Sequence, residues 1–125
     1  MHRYLILLLL WTSGHASAHE FTPTYPELKP SHVKNVWTAR MYLHNMRDDV
    51  EYYRIDAYDH MWNAIGIAVP RGNPMKIEHL KKKTIDVYIR DKDKDRAHYI
   101  CSTSKLQLRG GGKTAVESRI CSKIK

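Results

Sequence analysis

Apolar and polar residues alternate one for one through most of this chain. In residues 36–45, Trp37, Ala39, Met41 and Leu43 fall on one face and Thr38, Arg40, Tyr42 and His44 on the other, the period of a strand buried on one side. Residues 50–58 repeat the pattern with Tyr53, Ile55 and Ala57 inward, and the polar link through Arg47 and Asp48 predicts that the two strands form a hairpin. Residues 59–63 make a turn that carries Trp62, after which Ile65, Ile67 and Val69 alternate with smaller residues as far as Pro70. Arg71-Gly72-Asn73-Pro74 turns the chain again. Met75, Ile77 and Leu80 lead into Lys81-Lys82-Lys83, read as a connection, and residues 84–90 resume with Ile85, Val87 and Ile89 inward. Asp91-Lys92-Asp93-Lys94-Asp95-Arg96 is a charged corner, and the helical period is absent throughout.

The last quarter holds both cysteines of the chain. Two β-patterned runs flank Arg109-Gly110-Gly111-Gly112-Lys113, and folding them about Gly111 sets Cys101 against Cys121, Ser104 against Ser118 and Lys105 against Glu117. One register thus brings together a disulfide and a cross-strand ion pair, which predicts a stapled hairpin. In that register Ile100, Leu106, Leu108, Val116 and Ile120 share one face, and Tyr99, Cys101, Lys105, Glu117 and Arg119 the other. Ahead of all these strands, Pro23, Pro26 and Pro30 restrict residues 21–30 to an edge strand or an extended arm. About seven short strands spaced near ten residues apart predict an all-β fold, an antiparallel β-sandwich.

The N-terminus changes the setting. Met1-His2-Arg3 is basic, residues 4–11 are apolar, and Ala16-Ser17-Ala18 is a small-x-small cleavage site, the three parts of a secretory signal peptide. The apolar run is shorter than the roughly 20 residues a membrane span needs. We expect a leader over residues 1–18 and one domain over residues 19–125. Taking 18 residues and Arg3 from a 125-residue chain of net charge +8 leaves 107 residues and +7. A paired cysteine count in an exported chain agrees with the disulfide, and the expected location is the periplasm or outside the cell.

Asp95-Arg96-Ala97-His98-Tyr99-Ile100-Cys101 resembles the Asp-x-Ala-x-Tyr-x-Cys signature of immunoglobulin-like domains. The resemblance implies a tyrosine corner at Tyr99, with Tyr99 and Cys101 turned inward. This facing opposes the one read from the hairpin register, and a β-bulge before Leu106 is what would reconcile them. The strand at residues 36–45 carries no cysteine, so the resemblance does not extend to the inter-sheet disulfide of antibody domains. The leader, the proline arm and the strands at residues 36–45 and 84–90 are also similar to the first domain of periplasmic pilus chaperones and to small exported immunoglobulin-like proteins of bacteria and phages. These resemblances imply recognition of another protein through a sheet edge or end loops.

The remaining chemistry is sparse. Asp91, Asp93 and Asp95 begin like a calcium loop, but Arg96 and Ser102 stand where glycine and glutamate are required. Cleavage after Ala18 makes His19 the first residue, whose amine and imidazole suit copper if a second histidine is near; His32, His44, His60, His79 and His98 are the candidates. No serine elbow or phosphate loop is present, and Tyr42, Tyr52, Tyr58 and Trp62 are candidates for an exposed aromatic face. We therefore expect an exported, non-catalytic, chaperone-like or adhesive protein-binding module without a cofactor. Its candidate binding residues are Lys81, Lys82, Lys83, Arg109 and Lys113, and its edge candidates are residues 21–25 and 114–125. The alternatives are a periplasmic copper protein built on His19 and a binder of anionic polymer. The charge is scattered, without the footprint of a nucleic-acid protein.

Overall fold

A computed structural model of the chain describes residues 19–105 and 117–125. The expected leader over residues 1–18 and the expected glycine turn with Arg109 and Lys113 lie outside the described residues. The strands are β1 (Glu20–Thr22), β2 (Lys29–Pro30), β3 (Val36–His44), β4 (Tyr52–Tyr58), β5 (Ala64–Ile65), β6 (Ile67–Ala68), β7 (Met75–Lys76), β8 (Lys82–Arg90), β9 (Tyr99–Lys105) and β10 (Arg119–Lys123). One sheet runs β1-β3-β8-β6 with β2 also on β3, and the other runs β10-β9-β4-β5 with β7 also on β4. Every one of these pairings is antiparallel. The expected two-sheet β-sandwich is formed, and its strand order is compatible with an immunoglobulin-like domain.

The alternating residues fill the space between the sheets. Ala39, Met41 and Leu43 of β3 and Ile85, Val87 and Ile89 of β8 face Tyr53, Ile55 and Ala57 of β4 and Ile100 of β9, all buried. Each strand has one apolar face, and only the opposite sheet covers it. That constraint overturns the hairpin expected between β3 and β4, which lie in different sheets. The link after His44 crosses the sandwich and is fixed by Asn45, whose buried side chain donates to the carbonyls of Val50 and Ile77 at 2.7 and 2.8 Å. The run through Ile65 and Ile67 divides in the same way, Ala57 taking Ile65 in one sheet and Ile89 taking Ile67 in the other. Lys82 and Lys83 belong to β8 opposite His44 and Leu43, so the lysine run is only partly a connection.

In the last hairpin the register is the expected one. Cys121 lies opposite Cys101 with Cα atoms 4.0 Å apart, the two are joined by a disulfide, and the Ser104 amide donates to the Ser118 carbonyl. Ile100 and Ile124 face the core and Ile120 packs against it, so among the described residues the facing read from the hairpin holds, with an unbroken register from Tyr99 to Thr103; Leu106, Leu108 and Val116 lie outside them. Tyr99 points outward, and the tyrosine corner implied by the signature is not formed. The expected Lys105–Glu117 ion pair is not among the ion pairs of the described residues.

The edges of the second sheet are covered in part, by a side chain on one and the arm on the other. Beyond β9, β4 is flanked by β7 at Tyr52 and Tyr53 and by β5 at Ala57 and Tyr58. Between them Asn73 imitates a strand, its Oδ1 accepting from the Ile55 amide at 2.9 Å and its Nδ2 donating to the Ile55 carbonyl at 2.6 Å. On the other side the Lys123 and Lys125 amides donate to the carbonyls of Thr24 and Pro26, so the proline arm runs parallel to the end of β10. The two edge candidates therefore meet at the C-terminal end of β10, and residues 114–116 of the second lie outside the described residues. We expect Asn73→Ala to strip both partners from the Ile55 backbone and to cost about 1–3 kcal/mol. A lower urea midpoint together with faster exchange of the Ile55 amide is the expected outcome, and unchanged exchange would show that water replaces the side chain.

Candidate functional site

The most exposed aromatic grouping sits at one end of the second sheet. Asp59 organises the turn that carries it: its Oδ1 accepts from the amides of Met61 and Asn63, both at 2.9 Å, and its backbone carbonyl accepts from the Trp62 amide. The bonds to its carboxyl, first that from the Asn63 amide, hold it below the usual carboxylate range. Trp62 is fixed at a φ of +65°, a left-handed conformation rare for a bulky side chain. Its ring stacks on Tyr99 at 4.2 Å between centroids with only 4° between planes, and Tyr58 lies tilted at 5.8 Å. The Arg119 guanidinium lies 4.8 Å from the Tyr58 ring centre and 5.3 Å from that of Trp62, and one of its nitrogens reaches Cys101 Sγ at 3.7 Å. His98 abuts Tyr99, and His60 abuts His98. Trp62 is nevertheless 49% exposed and Met61 69% exposed.

A second constellation is internal. His19 is only 3% exposed. Its Nε2 is 2.6 Å from Ser102 Oγ and its Nδ1 3.0 Å from Ser118 Oγ, with the ring tilted against Tyr53. Ser104 Oγ accepts from the Ser118 amide at 2.8 Å and lies 3.4 Å from the Arg47 guanidinium, which grips Asp49 through two nitrogens at 2.8 and 2.7 Å. Asn45 Oδ1 completes the cluster by accepting from the Tyr53 hydroxyl at 2.5 Å and the Arg47 amide at 2.9 Å. Burial pushes the His19 imidazole down to about 4; a hydrogen bond to Ser102 opposes this and the Arg47 charge adds to it. Burial likewise pushes the Tyr53 phenol up to about 12. The neutral imidazole is the form this interior accommodates.

These positions decide what the candidate residues are able to do. Both ring nitrogens of His19 are committed to serines, and among the described residues no three His, Cys, Asp or Glu side chains gather as a metal site. Asp91 and Asp93 diverge, the first accepting from Trp37 Nε1 at 2.7 Å and the second bound by Arg96 and Arg90. Lys81, Lys82 and Lys83 are brought to the start of β8, where Lys83 Nζ donates to the Lys76 carbonyl at 2.7 Å. Of the four aromatics singled out, Tyr58 and Trp62 come together, while Tyr42 lies on the other sheet. Tyr99 and Arg119 were missing from that set, although the hairpin register had already placed both on the outward face. No helix among the described residues is long and apolar enough to cross a membrane.

Compared with known proteins, the chain matches no family model and no curated sequence.

The internal cluster predicts an acid response. The unfolded imidazole protonates near 6.5 and the folded one only near 4, so the folded state is favoured in full above pH 6.5. That contribution shrinks as pH falls below this value, reaching a loss of about 3 kcal/mol under the folded pKa. We expect urea midpoints to drop between neutral and about pH 4, and His19→Gln to flatten that drop while lowering the neutral midpoint. An equal drop in both proteins would place the proton uptake elsewhere.

Proposed function

We infer that the chain is an exported, non-catalytic recognition module of immunoglobulin-like architecture that binds another protein through the aromatic end around Trp62. Support for the architecture comes from a strand order equivalent to ABED in one sheet and GFC in the other. The disulfide suits an oxidising compartment. The departures from antibody domains are the cystine between β9 and β10 and the outward Tyr99. Strand donation of the pilus-chaperone kind has little support, because the arm already occupies the end of β10.

The observation that carries the binding mode is the fixed, exposed Trp62. A left-handed non-glycine residue costs of order 1–3 kcal/mol and persists where the surroundings over-determine it. Here Asp59 and Tyr99 do so, and what they hold in place is a half-exposed indole. Trp, Tyr, Arg and Met are the residues enriched at protein interfaces, and rigid aromatics lose little entropy on binding. The serine–histidine pair is no rival as a catalytic device, since Ser102 is fully buried with its histidine.

Trp62→Gly separates the two roles of the indole. Glycine accepts the positive φ without strain, which offsets the loss of the Tyr99 stack, so stability should change by about 1 kcal/mol or less. A photoreactive residue in place of Met61 should form one defined adduct with a protein of the producing cell's exported fraction, and Trp62→Gly should abolish it. No adduct, or an equal adduct after Trp62→Gly, defeats the reading.

A further inference from the structure

We propose that the outer edge of β8, residues 82–87, is a second interaction surface, one that accepts an extended, acidic segment of a partner protein as an added strand. It is independent of the aromatic end. β8 pairs with β3 along its whole length, but on its other side β6 reaches only Tyr88 and Ile89. Six residues, a span of about 20 Å, are left with a neighbour on one side only, the longest such stretch of strand among the described residues. β4 has Asn73 and the end of β10 has the arm; among the described residues no backbone group bonds the outer side of residues 82–87.

A cavity of about 210 Å³ lies beside it. Met75 and Ile85 line its buried part and Val69 its wall, while Arg71, Lys83 and Asp86 stand at its rim. An added strand would therefore meet an apolar environment on its inward positions and a charged one on its outward positions, the two-sided recognition that strand addition uses. The charge selects the occupant. Asp86 is engaged with Arg40, and among the described residues Lys81, Lys82 and Arg71 have no carboxylate partner. Lysines on an edge repel a second copy of the same edge. They attract a strand whose outward residues are Asp or Glu.

The test uses the isotope-labelled chain from His19 onward and an eight-residue peptide alternating valine and glutamate. We expect slowed hydrogen exchange at the amides of residues 82–87 facing the open side, and none with the valine–lysine peptide. Replacing Lys81, Lys82 and Arg71 by alanine should weaken binding about tenfold, with the fold intact by the same spectra. Equal protection by both peptides, or none by either, overturns the proposal. So does protection in concentrated protein alone, which would mark a copy-to-copy edge. A polyglutamate that shifts the lysine side chains without protecting any amide would show an anionic-polymer surface instead, and would equally overturn it.

Discussion

A single amide holds the place where the chain first passes from one sheet to the other. Asn45 sits wholly inside the sandwich, donates to two carbonyls and accepts from a hydroxyl and an amide, so that no polar atom of it is left without a partner. A half-satisfied polar group there would cost more than an apolar one. Through Tyr53 and Arg47 the same amide reaches the His19 ring and the serines of the final hairpin. The two sheets are thus joined at this end by a continuous polar network in addition to the apolar core. It links the first described residue, the crossing and the last strands into one unit.

The fold was largely legible because a period of two is written directly in the chain. Ala39, Met41, Leu43, Tyr53, Ile55, Ala57, Ile85, Val87 and Ile89 all point where their alternation says. Alternation tells which face is buried and not against what, and so β3 and β4 were expected side by side when they lie across the core from one another. The cystine was legible because a hairpin register is fixed by arithmetic about its turn. The interior around His19 was not: Ser102, Ser104 and Ser122 occupy inward positions that read as polar, and only their burial beside a neutral imidazole or the core reveals the facing.

The outer surface follows a different logic. The outer side of β4 is met by the side chain of Asn73 and the end of β10 by the arm, and neither device has a pattern that a period could detect. The Trp62 turn shows the same limit. Its residues read as a turn, but the left-handed φ arises from the Asp59 bonds and the Tyr99 stack, which are properties of the assembled end. Local signals locate such elements, while their exposure and partners come from distant strands.

The proline arm has a mechanical consequence. It runs parallel to the end of β10, joined through Thr24 and Pro26, so the beginning of the described chain and its end leave this pair in opposite directions. Tension applied between them acts along the strands, and both hydrogen bonds are strained together in shear before either can part. An antiparallel pair pulled from one end would open one bond at a time. The sandwich is thereby fastened where its two ends meet, in the orientation that best resists being drawn out.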